Sequence, residues 1–178
     1  MPSIINTDWK WAYGLARRDG KPREVILHHA AATTLTPAQL HRIHLNNRWA
    51  GVGYHFYVRK SGAIYRGRPI WAIGAHAPGH NASIGICAEG NYDNEQTMPP
   101  AQLASLRWLV ERMRHSFPGI IVLRHRDVTA TACPGRHYPT AKVKTPPAKT
   151  TGKYVRVAVP KKKPAWWARL TAWRRATS

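Results

Sequence analysis

Two short apolar runs, Val25-Ile26-Leu27 and Ile120-Ile121-Val122-Leu123, do most to restrict the fold. Both are rich in β-branched residues, too short for a buried helix, and preceded by a turn signal, Pro22 in one case and Pro118-Gly119 in the other. They read as buried strands. Each also runs straight into histidine, as Leu27-His28-His29 and as Leu123-Arg124-His125. A chain of this kind presents imidazoles at the ends of core strands.

The segments between them follow the same logic. Thr36-Pro37-Ala38-Gln39-Leu40 starts a helix, with Thr36 as N-cap and Pro37 at the first helical position. Leu40, Ile43 and His44 are expected to face inward from it. Residues 52–58 alternate, placing Tyr54, Phe56 and Val58 on one face and His55 and Tyr57 on the other. Lys60-Ser61-Gly62 then turns the chain into a partner strand, Ala63 to Arg66, giving a hairpin. The stretch 74–81 (GAHAPGHN) reads as a loop and leads into a strand over 83–88. Leu103, Leu106, Leu109, Val110 and Met113 repeat with helical spacing from Pro100 to about His115. Interleaved strands and helices predict an α/β fold: a single domain with a central mixed β-sheet flanked by helices, followed by a basic C-terminal tail.

Charge marks the tail. The formal net charge is +20, and 11 of the 28 Lys and Arg but none of the 8 Asp and Glu fall after residue 140. Residues 1–139 are therefore expected to form the domain. Residues 140–164, rich in Lys, Pro and Thr, read as a linker. Residues 165–178 read as a short basic helix rich in Trp and Arg, with Trp166, Leu170 and Trp173 on one face. Such a tail suits an anionic membrane or envelope surface. A nucleic-acid-binding function finds no helix-turn-helix, zinc-finger spacing or RNA-binding motif to support it. With 2 cysteines, Cys87 and Cys133, a disulfide framework is not expected. Residues 1–20 lack the pattern of an export leader, and no apolar run approaches the roughly 20 residues of a membrane span. The expectation is synthesis in the cytoplasm.

The histidine-ended strands combine with Cys133, inside Thr131-Ala132-Cys133-Pro134-Gly135, into a possible zinc site. Two imidazoles and one thiolate leave a fourth tetrahedral position open, as in catalytic rather than structural sites. Such a metal polarises a carbonyl and brings the pKa of water toward ~7. Only one of His28 and His29 can face it, because neighbours on a strand point to opposite faces. His41, His44, His55, His80, His115 and His137 lack such a setting and read as surface or packing residues. Cys87, mid-strand, reads as a small buried hydrophobe.

The motifs LHHAAAT, GYHFYV, GAHAPGHNASIGI and RHRDVTATACPG occur in this order within residues 24–138. Together they resemble the zinc amidase family that includes phage lysozyme-type N-acetylmuramoyl-L-alanine amidases and the animal peptidoglycan recognition proteins. The resemblance implies zinc ligands His28, His125 and Cys133, with His29 as the alternative to His28. It implies that Tyr54 and Thr131 act on the reacting carbonyl through their hydroxyls, and that His76 and Asn81 contact substrate. The implied reaction is hydrolysis of the amide between N-acetylmuramic acid and the L-alanine of the peptidoglycan stem peptide, by a monomeric phage or prophage endolysin. Cell-wall recycling amidases fit less well, since they carry a carboxylate where this chain has Cys133 and Glu where it has Cys87. Glu89 is then an alternative base. A peptidoglycan-binding module without activity is the other alternative, but such members lose the cysteine.

Overall fold

The computed structural model describes residues 2–146. The tail reading for 147–178, including the short helix at 165–178, lies outside the described residues. Strands β1 (Ile4–Ile5), β2 (Glu24–His29), β3 (Phe56–Val58), β4 (Ile64–Arg66), β5 (Ile84–Ala88) and β6 (Ile121–Arg124) form one mixed sheet. Its order is β1-β4-β3-β5-β2-β6. Strands β3, β5, β2 and β6 are parallel, while β4 returns antiparallel to β3 and carries β1 parallel to itself.

Strand β2 is the centre of the fold. It lies between β5 and β6, and Val25, Ile26 and Leu27 are each 0% exposed. Full burial of such side chains stabilises by about 1.5–3 kcal/mol each. Helix α2 (Pro100–Ser116) covers one face of the sheet, where Leu106, Leu109, Val110 and Met113 join Val25, Leu27, Ile84 and Ile86 in one core cluster. The five-residue helix α3 (Thr140–Lys144) packs Val143 into the same cluster. The packed unit thus continues past residue 139, where composition alone placed the start of the linker. Helix α1 (Pro37–Asn46) and the N-terminal segment cover the opposite face, where Leu40 meets Val52, Tyr57 and Cys87.

Helix α1 begins as expected, with a capping box between Thr36 and Gln39. Its inward face differs. Ile43 is 45% exposed, and His41 is buried in its place. His41 stacks on Trp9 at 4.5 Å, accepts the Val52 N–H at Nδ1 and reaches the Lys10 carbonyl with Nε2. With both ring nitrogens engaged, the imidazole is the better residue to bury.

The expected strand over 52–58 is shorter, and this moves Tyr54. Pairing with β4 and β5 covers only Phe56, Tyr57 and Val58. Before Phe56 the backbone bends against Gly67, where a Cβ would meet the Tyr54 carbonyl oxygen at 2.1 Å. Tyr54 consequently packs with Tyr57 and Cys87, on the sheet face opposite Phe56 and Val58.

Glu89, considered as a base, is a brace. It is 2% exposed and accepts hydrogen bonds from Arg59 Nε, the Lys60 N–H at 2.9 Å and the Leu35 N–H at 3.0 Å. These donors hold its carboxyl below the usual range despite burial. Removing the buried carboxylate leaves the Leu35 and Lys60 N–H groups without their acceptor, while Arg59, 26% exposed, can turn to solvent, so Glu89→Ala is expected to cost about 2–3 kcal/mol, read from chemical denaturation. Because the folded pKa is depressed, this contribution is complete above the ordinary glutamate pKa and fades as pH falls through the lowered value. In Glu89→Ala that part of the acid destabilisation should be missing.

Candidate metal centre

The parallel strands deliver the histidines to one edge of the sheet, the carboxyl ends of β2 and β6, where ligands bind in open α/β sheets. His28 pairs in register with Cys87, and His125 opens a single turn of 3-10 helix (His125–Asp127) directly after β6. That turn is fixed by Asp127, which accepts the Arg124 N–H at 2.8 Å and the Arg124 guanidinium at 2.7 and 2.9 Å. The Cys133 loop is drawn back onto it, since Arg126 N–H donates to the Cys133 carbonyl at 3.0 Å. The Arg126 guanidinium also donates to the Ala132 carbonyl. On its other side the loop rests on residues 92–93, where the Arg136 N–H donates to the Asp93 carboxylate at 3.1 Å.

These contacts gather His28, His125 and Cys133, with ligand atoms all within 4.8 Å of one another. His28 is 1% exposed, its Nδ1 lies 3.7 Å from Cys133 Sγ, and its ring centroid is 4.5 Å from that of His125. His29 faces the other way. Its Nδ1 accepts the Tyr92 N–H at 3.1 Å and its Nε2 lies 3.8 Å from the Asp93 carboxylate, so it props the loop beneath Cys133.

The electrostatics suit a cation. Burial holds His28 well below the usual imidazole range, and the neighbouring His76 and His125 add to this. Burial also lowers His125. Both rings are therefore neutral at pH 7, the charge state in which an imidazole can bind a metal. Burial raises the Cys133 thiol to about 11, an effect that a cation beside the sulfur reverses. The buried His125 Nε2 has no hydrogen-bond partner. An orphaned polar atom costs about 1–3 kcal/mol unless something binds it. Two neutral imidazoles and one thiol converging within 4.8 Å fit a zinc ion.

Tyr54 forms the wall of the site. Its ring lies 5.1 Å from His28 and 5.7 Å from His44. Burial, then the nearby Cys87 and Cys133, raise its pKa well above the ordinary value, so the phenol keeps its proton. Two contributors here escape a reading by spacing. Cys87 adjoins the Tyr54 hydroxyl, and His44, held down at about 4 chiefly by burial, backs the ring while accepting the Gly53 N–H at 3.0 Å. Their helical and strand positions look like ordinary core. Trp49 packs on His44 at 4.6 Å and lines, with Tyr13, Arg68 and Ala75, a cavity of about 220 Å³ beside this wall.

Thr131 is exposed on the Cys133 loop, and its Oγ1 accepts the Cys133 N–H at 3.2 Å. That leaves its hydroxyl proton free to donate. His76 and Asn81, implied to contact substrate, make contacts within the protein. His76 is 7% exposed with Nδ1 3.0 Å from His28 Nε2, and the Asn81 carboxamide oxygen accepts the N–H groups of His76 and Ala77 at 2.8 and 2.9 Å.

Comparison with known proteins finds relatives by sequence and by structure. The family described as N-acetylmuramoyl-L-alanine amidase matches residues 18–136. The endolysin of Enterobacteria phage T3 is 34% identical over 132 residues, 67% of this chain and 87% of that protein. Peptidoglycan-recognition protein SC1a of Drosophila melanogaster is 35% identical over 142 residues, 72% of this chain and 74% of its own. Among solved structures, the N-acetylmuramoyl-L-alanine amidase LysC from Clostridium intestinale superposes with a TM-score of 0.77 at 39% identity, covering 81% of this chain and 96% of that one.

Proposed function

The chain belongs to the N-acetylmuramoyl-L-alanine amidase family, and from that premise we propose that His28, His125 and Cys133 hold one zinc ion at the centre of its peptidoglycan-hydrolysing site. As an amidase of the endolysin type it opens the amide between N-acetylmuramic acid and the L-alanine of the stem peptide. The observation that carries the zinc reading is the convergence of one ligand atom from each of His28, His125 and Cys133 within 4.8 Å.

Zinc in such a site supplies a Lewis acid for the carbonyl and eases deprotonation of water. The protein's own groups do the rest. Tyr54, protonated throughout the neutral range, donates its phenolic hydrogen to the oxygen on which negative charge develops. Thr131 donates a second hydrogen bond from the rim, adding no charge. The aromatic wall of Tyr54, His44 and Trp49 backs the reacting carbonyl, and the cavity beside it takes the next part of the substrate. The leaving L-alanine nitrogen receives the proton that the attacking water gives up, passed through Tyr54 or another relay.

The site is built from one chain, in keeping with a monomer. Beyond residue 140, cationic residues without acids, together with Trp166, Trp167 and Trp173, support a second role: bringing an enzyme made in the host cytoplasm to an anionic envelope surface. Deleting residues 147–178 is expected to weaken binding to anionic vesicles, and unchanged binding sinks that role.

The central test is digestion of purified peptidoglycan with metal analysis alongside. About one zinc per chain is expected, with stem peptides released bearing a free L-alanine amino terminus in mass spectra. Zinc without cleavage makes the chain a binding module. Cleavage by carefully demetallated protein removes zinc from the reading.

A further inference from the structure

His76 belongs to a loop rich in Gly and polar residues, yet its side chain points into the protein. Its ring is set edge-on to His28 at 5.0 Å. The surroundings admit an imidazole and little more. A Cβ on Gly74 would come within 2.4 Å of its Cδ2, and one on Gly85 within 2.6 Å of the same atom. The loop backbone is fixed by Asn81, whose carbonyl accepts the Gly74 N–H at 2.8 Å in addition to the bonds made by its side chain. Behind the ring lies His55, 0% exposed, at 5.9 Å. His55 has both nitrogens occupied, Nδ1 by the Gly85 N–H at 3.1 Å and Nε2 by the Ala72 carbonyl at 3.0 Å. The polar contact left for His76 Nδ1 is His28 Nε2.

A neutral imidazole has one donor and one acceptor, so the His28–His76 bond exists in two forms. In one, His28 donates from Nε2 and keeps a lone pair on Nδ1, the atom 3.7 Å from Cys133 Sγ. In the other, His76 donates from Nδ1, and His28 turns a protonated Nδ1 toward the sulfur. Only the first offers a ligand. We propose that His76 is a positioning residue of the metal centre, accepting the Nε2 proton of His28 and so holding the Nδ1 lone pair of that ring toward His125 and Cys133. The inference rests on the zinc reading above. It gives the His76 loop a task in metal affinity in place of substrate contact.

An imidazole tautomer fixed from behind is a common device in zinc sites, and losing the fixing partner costs roughly 10–100-fold in metal affinity. The test is zinc affinity by chelator competition for the unaltered chain, His76→Ala and His76→Asn. The dissociation constant should rise roughly 10–100-fold in His76→Ala, while Asn, whose carbonyl oxygen can take the place of Nδ1, should recover most of it. Melting of the zinc-free proteins separates affinity from folding. An Ala variant that folds and binds zinc as tightly as the unaltered chain overturns the proposal. Imidazole nitrogen NMR of the unaltered, zinc-loaded protein needs no variant: protonated His28 Nε2 beside unprotonated His76 Nδ1 supports it, and a proton on His76 Nδ1 overturns it. An unaltered chain that takes up no zinc overturns the zinc reading and this inference with it, whereas tight zinc in His76→Ala overturns this inference alone.

Discussion

Replacing Cys133 with alanine is expected to abolish zinc retention and lower peptidoglycan hydrolysis by roughly 10³-fold or more, about 4 kcal/mol or more in the barrier. Two imidazoles remain, and a zinc ion held by two neutral ligands lacks the anionic donor that offsets its charge. The fold should survive. Cys133 is only partly buried, and its loop is held by backbone and neighbouring contacts that alanine keeps: Arg126 N–H to the residue 133 carbonyl at 3.0 Å, Arg136 N–H to Asp93 at 3.1 Å, and the His137 N–H to the Tyr92 carbonyl at 2.8 Å. Far-UV circular dichroism should therefore match that of the unaltered chain while metal content after dialysis falls from about one per chain to near zero. Cys133→Asp offers a harder but anionic ligand and should keep part of both zinc and lysis. Full lysis by the alanine variant, with the loop intact, would place the chemistry elsewhere.

The parts of the fold carried by local chemistry are readable from sequence. Thr36 and Pro37 announce α1, the Leu103–Met113 spacing announces α2, and the apolar runs at 25–27 and 120–123 announce the strands that carry the ligands. What is hidden is hidden for physical reasons. Strand β2 is buried on both faces, so no polar alternation shows which of His28 and His29 points toward Cys133. Helix α3 rests on a single core residue, Val143, among Thr and Lys, too little to give a period. Tyr54 alternates correctly with Phe56 and Val58 in sequence, but the ladder begins at Phe56, and the bend before it sends the ring to the other face. His76 looks solvent-exposed because its neighbours are Gly, Ala and Pro. The signal for its burial lies in Gly74 and Gly85, whose missing side chains make the slot for its ring.

Tyr54→Phe separates binding of metal from catalysis. The phenyl ring preserves the packing against His28 at 5.1 Å, His44 at 5.7 Å and His76 at 6.1 Å, and the hydroxyl lies against Cys87, which is not one of the three proposed ligands. Zinc affinity is expected to stay within a few-fold. The hydroxyl lies beside the weakly polar Cys87 thiol, so its loss should change stability by about 1 kcal/mol or less. Catalysis should respond very differently. A donor aimed at developing negative charge in a dry site contributes about 2.7–4 kcal/mol, so kcat should fall roughly 10²–10³-fold with KM little changed. The pH profile gives an independent check. With its pKa raised well above 10.0, Tyr54 remains protonated through the neutral and mildly alkaline range. Any loss of activity between about pH 7 and 9 must then come from another group, and the shape of that limb should persist in Tyr54→Phe at its lower rate. A variant that hydrolyses peptidoglycan within two- to threefold of the unaltered chain would reduce Tyr54 to a wall residue and transfer the oxyanion contact to Thr131 alone. The combination of retained zinc and lost turnover is the result that binding through an inert site cannot produce.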